Sequence, residues 1–216
     1  MKGIGANAAG GPGGRNRFIE ETMARTSANA DTSHRILDVA ERLLQTRGYN
    51  AFSYADVAQA LHVTKASLHY HFPTKAELGR RLIERYEQAF LNALATIDKT
   101  SSNAREQLRR YVDIYVDVLR NDRMCLCGML AAEYATLPKP MKTGLKHFFD
   151  ENERWLVAVL EDGQATGKLR FAGSARETAR LLVGSLEGAM MLARSYDDVT
   201  RLKSAAERLL SGLTDG

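Results

Sequence analysis

Cysteine and proline are scarce in this chain, with two and four respectively among 216 residues, and there is a single tryptophan. The two thiols, Cys125 and Cys127, stand one residue apart, so they cannot build a disulfide framework, and such sparing use fits a reducing compartment. No uninterrupted apolar run approaches the ~18 residues of a membrane-spanning helix. After Lys2 there is no apolar h-region, only Gly, Ala and Asn, so no secretory leader is read and a cytoplasmic location without membrane partners is expected. Strand-type alternation is missing throughout. The GGPGG run at 10–14 is not followed by Gly-Lys-Ser/Thr, which excludes a phosphate loop. No nucleophile–base pair and no cysteine or carboxylate set at ligand spacing appears either, so enzyme chemistry, cofactor and metal are not expected. His69 and His71 do not change this, because two residues apart on a helix they project about 200° from one another.

Apolar residues make up 44% and charged residues 26%, ordinary values for a globular chain able to bury a core. The formal net charge is +4. Up to Arg85 there are twelve Lys or Arg against eight Asp or Glu, so the whole excess lies in the first third and the remainder is neutral. Positive charge confined to one end is the distribution expected of a polyanion-binding surface.

Helical periodicity organises the rest into an all-α chain of about nine helices. Residues 1–31 hold six glycines between Gly3 and Gly14 and little apolar surface, and are expected to be a disordered arm, with at most a frayed helix from Glu20 to Ala28. From Ser33, Ile36, Leu37, Ala40, Leu43 and Leu44 recur at three- and four-residue spacing until Gly48. Ser53 and Asp56 form an S-x-x-D capping pattern for a second short helix, and Thr64 caps a third that Phe72 and Pro73 stop. Thr74 and Glu77 open a fourth, running to about Ile97. Five more follow, over about Asn103–Leu119, Cys125–Thr136, Pro140–Glu161, Ala175–Ser195 and Val199–Leu213. The division expected is an arm at 1–31, a first domain at 32–78 and a second at 79–216, with helix 74–97 linking the two.

The third helix is short, polar on its outer face and free of carboxylates. Thr64, Lys65, Ser67, His69 and Tyr70, with His71 and Lys75 close behind, supply hydroxyls, cations and aromatics that suit phosphates and base edges. The run Val63, Thr64, Ala66, Ser67, Leu68, His71, Phe72, Lys75 and Leu78 resembles the DNA-binding domain of the TetR family of bacterial transcriptional regulators, whose pattern reads roughly G-V-S-x-G-S-L-Y-x-H-F-x-x-K-x-x-L. Two departures from it matter. His62 stands where the turn glycine is usual, and His69 replaces a tyrosine. The resemblance implies a helix-turn-helix in which Ser53, Tyr54, Thr64, Lys65, Ala66, Ser67, His69, Tyr70, His71 and Lys75 contact or brace operator DNA.

The resemblance further implies that the second domain holds an effector pocket and dimerises through its last two long helices. On that basis Leu182, Ser185, Leu186, Ala189, Met190, Ala193, Leu202, Ala206 and Leu209 are candidates for the dimer interface, although the same spacing suits plain intrachain core. Tyr111, Tyr115, Phe149 and Trp155 are candidates for lining the pocket, and Glu133 for orienting a polar group of the ligand. The segment C-L-C-G-M-L-A-A-E, Cys125 to Glu133, resembles the start of the sixth helix in a subgroup of repressors that respond to electrophiles or unsaturated acids. There Cys125 takes the position of the sensing thiol, and the effector expected is apolar or electrophilic. The function implied is a homodimeric, ligand-responsive repressor of a pseudo-palindromic operator. The rival reading is a helical small-molecule-binding bundle or enzyme without DNA binding.

Overall fold

In a computed structural model, residues 13–214 are described, with side chains from residue 29 onward. All regular structure among them is helical. Helix α1 spans Gly13–Arg47, and Ile36, Leu37, Ala40 and Leu44 along its second half are buried. It ends where Gly48 takes φ 94°, the left-handed conformation that stops a helix cheaply only at glycine. The arm expected to be disordered through residue 31 is therefore helical from Gly13, and residues 1–12 lie outside the described residues. Arg, Glu, Met and Ala at 15–28 are good helix formers, and extending an existing helix avoids the cost of nucleation.

Helix α2 covers Tyr54–Leu61 and α3 covers Lys65–His71. Their apolar residues Val57, Ala58 and Leu68 join Phe72 and Leu78 against the buried face of α1. Between them His62 adopts φ 55°, ψ 41°, the left-handed geometry expected where a turn glycine is missing. A Cβ there costs roughly 0.5–1 kcal/mol. His62→Gly is accordingly expected to stabilise the fold by about that amount, read as a rise in the midpoint of urea unfolding. A lowered midpoint would refute the assignment of strain to this turn.

Helix α4, Lys75–Thr100, runs from this unit into the second domain. The second domain continues with α5 (Ala104–Arg120), α6 (Leu126–Ala132), a 3-10 turn at Tyr134–Thr136, α7 (Lys139–Ala165), α8 (Ala175–Ser195) and α9 (Val199–Ser211). Side-chain caps set the starts of most of these: Thr74 accepts from Glu77 N, Asn103 from Arg105 N, Ser174 from Glu177 N and Asp198 from Thr200 N. Helix α4 packs on α7, α7 on α8, and α8 on α9, with α5 inserted among them. Where α4 crosses α7, Gly79 lets the Met141 side chain pack against the α4 backbone, since a Cβ there would sit 2.5 Å from Met141 Sδ.

Candidate nucleic-acid interface and effector core

Helix α3 presents its polar face outward. Thr64, Lys65, Ala66, His69 and Tyr70 are exposed, Ser67 and His71 half-buried, and Leu68 alone points into the core. Tyr70 is 74% exposed, its ring presented to solvent on the outer face of the helix. Thr64 Oγ1 accepts from Ser67 N at 3.2 Å, which leaves the Thr64 hydroxyl proton free to donate outward. Ser53 is exposed at the start of α2, with its N–H and hydroxyl both donating to Asp56 Oδ2. No carboxylate lies on α3.

Three residues expected at the interface also make contacts within the domain. Tyr54 is buried, and its hydroxyl donates to Phe72 O at 2.7 Å, tying the start of α2 to the end of α3. His69, although exposed, lies with its ring 4.7 Å from that of Tyr54 and with Nδ1 3.1 Å from Pro73 O. Lys75 turns inward. Its Nζ donates to the carbonyls of Tyr49 and Phe52 and sits 4.4 Å and 4.5 Å from the centroids of the same two rings. Burial lowers its pKa, and the carboxylates of Glu133 and Asp56 oppose that shift.

Glu133, expected to orient a ligand, faces the first domain. Its carboxylate accepts from Tyr49 N at 2.6 Å and from Asn50 N at 3.2 Å, and Asn50 Nδ2 donates to Thr136 Oγ1 at 2.8 Å. At the other end of α6, Met124 N donates to Gln45 O at 3.1 Å and Gln45 Nε2 returns a bond to Met124 O at 3.0 Å. The turn between α1 and α2 is thus held by its carbonyls from α4 and by its amides from the end of α6.

Inside the second domain Tyr111 and Tyr115 are buried, while Phe149 and Trp155 are only half-buried. Tyr111 donates to Asn152 Oδ1 at 2.8 Å, the two tyrosine oxygens lie 3.1 Å apart, and Asn152 Nδ2 donates to the Tyr115 oxygen at 3.3 Å. Trp155 stacks on Tyr111 at 5.6 Å and donates through Nε1 to Asp98. Cys125 is buried. Burial first, and then the neighbouring Glu187 carboxylate, push its thiol well above the usual range, and the Gly128 N–H at 3.4 Å from Sγ only partly offsets this. A reactive thiolate needs the opposite environment.

Glu187, on α8, carries no sequence signature of function, yet its carboxylate oxygens are both buried without a hydrogen-bond partner. Its position holds one faint signal: it is a lone acid four residues after Val183 and three before Met190, both buried. Of the dimer candidates, Leu182, Leu186, Met190, Ala193, Leu202 and Ala206 are buried within this chain's own core, and Ser185, Ala189 and Leu209 are half-buried. The outward face of α8 carries Leu181, Met191 and Leu192, each more than half exposed, with Gly184 and Gly188 open to space. Helix α8 is apolar on nearly every side, so periodicity alone could not separate its inward from its outward stripe.

Residues 36–82 match the profile of bacterial regulatory proteins of the tetR family, and residues 90–209 match the tetracyclin repressor-like C-terminal domain. A TetR-family transcriptional regulator from Agrobacterium tumefaciens is 33% identical and superposes with a TM-score of 0.84 over 86% of this chain and 99% of its own. A TetR transcriptional regulator from Legionella pneumophila is 34% identical, with a TM-score of 0.76 over 83% of this chain and 96% of its own. Among curated proteins, the HTH-type transcriptional repressor DhaR of Mycobacterium sp. strain GP1 is 24% identical over 78% of this chain and 83% of its own length. With both halves matched and the recognition helix exposed as its pattern requires, the chain belongs to the TetR family of bacterial DNA-binding transcriptional regulators.

Proposed function

We propose that this protein represses transcription in the cytoplasm as a homodimer, holding a pseudo-palindromic operator through its two copies of α3 and releasing it when a small molecule enters the second domain. The observation that carries this reading is the outer face of α3, where Lys65, His69 and Tyr70 stand exposed beside Thr64 with no carboxylate among them. The repressor assignment is supported by the function named for DhaR. Dimerisation is supported by Leu181, Gly184, Gly188 and Leu192, a flat apolar stripe on α8 that lets a second helix approach closely. The inward-facing stripe of α8 and α9 then serves the protomer core. Noncovalent capture of the effector is favoured over thiol chemistry, because Cys125 is buried and disfavoured as a thiolate.

Titrating DNA from upstream of the protein's own gene, by fluorescence anisotropy over a range of salt, tests the reading. Six or more phosphate contacts predict a log–log salt slope of about −5 or steeper. Lys65→Ala should weaken binding about equally at all sequences and flatten that slope by roughly 1 if it contacts phosphate. A flat slope in the wild type would contradict a DNA-binding regulator.

A further inference from the structure

We infer that the Glu187 carboxylate anchors a small effector bearing a protonated amine, taken into the aromatic core between α4, α5, α6 and α8. The inference rests on the ligand-responsive reading above and names the chemistry its ligand must have.

Both oxygens of Glu187 are buried and neither has a hydrogen-bond partner. Native proteins leave few buried polar groups in that state, and a carboxylate least of all. The polar groups that sense it are Tyr86 on α4, Tyr111 and Tyr115 on α5, and Cys125 and Cys127 at the start of α6. None is a cation. The tyrosine protons on α5 are already committed: Tyr111 donates to Asn152, and Tyr115, which accepts from Asn152, has the Tyr111 oxygen 3.1 Å away to receive its own. The Tyr86 hydroxyl on α4 is engaged with Cys125 Sγ, so only the weakly donating Cys125 thiol remains to ease the charge, while burial pushes the carboxyl up to about 7. Acceptors are therefore in excess, and the missing partner is a donor.

The sign of the missing partner follows from the same neighbours. An anionic ligand would meet a buried carboxylate with no cation beside it. A neutral alcohol would fill one lone pair and leave the charge unpaired. An ammonium group neutralises the charge and donates to both oxygens. The rings that continue from Tyr111 through Phe90, Phe148 and Trp155 suit the apolar body of such a ligand, and their faces attract a cation.

The site also has a mechanical output. A Cβ on Gly128 would clash with Glu187 Oε2, so the carboxylate lies directly against the α6 backbone. Five residues further on, Glu133 grips the amides of Tyr49 and Asn50. Whatever the carboxylate binds shifts the short helix that holds the α1–α2 turn.

The test is calorimetric titration of the full chain at pH 8 with benzylamine and hexylamine, each beside its matching alcohol and carboxylate. At that pH the amines are protonated and a carboxyl titrating near 7 is ionised. At least one amine should bind wild type about tenfold or more tightly than its alcohol, with no binding of the carboxylates. Glu187→Gln should abolish that preference while leaving the alcohol's affinity within about twofold, and Glu187→Asp, which keeps the charge, should retain it. Equal binding of amine and alcohol to wild type, no binding of either amine, or an amine preference that survives in Glu187→Gln each overturns the inference. Because calorimetry needs no DNA, loss of amine preference in a protein that still binds operator overturns the anchor alone. Failure to bind operator with the amine preference intact overturns the regulator reading alone.

Discussion

Lys75→Ala is expected to unfold at a lower urea concentration than wild type, by about 2–3 kcal/mol of stability, and to bind every DNA sequence less tightly. The family pattern alone would make this a simple loss of a phosphate contact. The geometry makes it a loss of structure. Nζ bridges the carbonyls of Tyr49 and Phe52 and lies over both rings, so alanine strips two carbonyls of a charged donor and uncovers two aromatic faces. The figure is kept to the lower end of two charge-assisted bonds because the side chain is only half-buried and water can replace part of what is lost. Lys65→Ala is the matched control. That side chain is exposed on α3 with no hydrogen bond among the described residues, so it should lower operator affinity without moving the urea midpoint. If Lys75→Ala kept the wild-type midpoint, the clamp would be refuted and the direct phosphate contact restored.

The contrast between these two lysines shows what the sequence made legible. Helix positions were readable because their signals are local. Ser53 with Asp56 opens α2 and Thr74 with Glu77 opens α4, as their capping patterns predict, and α8, expected from Ala175 to Ser195, is found there. The strained turn at His62 was readable for the same reason, since a missing glycine sits between two short capped helices. The partners of Lys75 and Glu133 were not readable. They are backbone groups 26 and 84 residues away, and a main-chain carbonyl or amide leaves no trace in side-chain pattern. The faces of α8 were illegible for another reason: Leu181 and Leu182 are chemically alike, and only packing decides that the first is 61% exposed and the second 3%. Residues 13–31 misled because the neighbouring glycines weigh against a helix in composition, whereas extending α1 avoids the cost of nucleation.

The larger functional consequence is expected at Glu133. Its carboxylate is the joint between the effector core and the α1–α2 turn, and in Glu133→Ala the amides of Tyr49 and Asn50 lose their acceptor together. Two hydrogen bonds to a charged group, at about 1.5 kcal/mol each, amount to roughly 3 kcal/mol, or about a 100-fold increase in the local opening that hydrogen exchange reports. Exchange at these two amides should accelerate by about that factor, while amides in α9, packed on α8 and α5, keep their protection. Glu133→Gln, which keeps one acceptor oxygen but no charge, should fall between. The carboxylate also acts on Lys75 across the turn, favouring its charged form, so the two clamps strengthen one another and their double variant should lose less than the sum of the singles. Coupling follows by linkage. If effector binding reaches α3 through this turn, a ligand that lowers operator affinity in wild type should lose most of that effect in Glu133→Ala, because the core no longer holds the amides it would move. Unchanged exchange at Tyr49 and Asn50 would show that the turn is held by something else, and a full ligand response in the variant would route the signal through α4 instead.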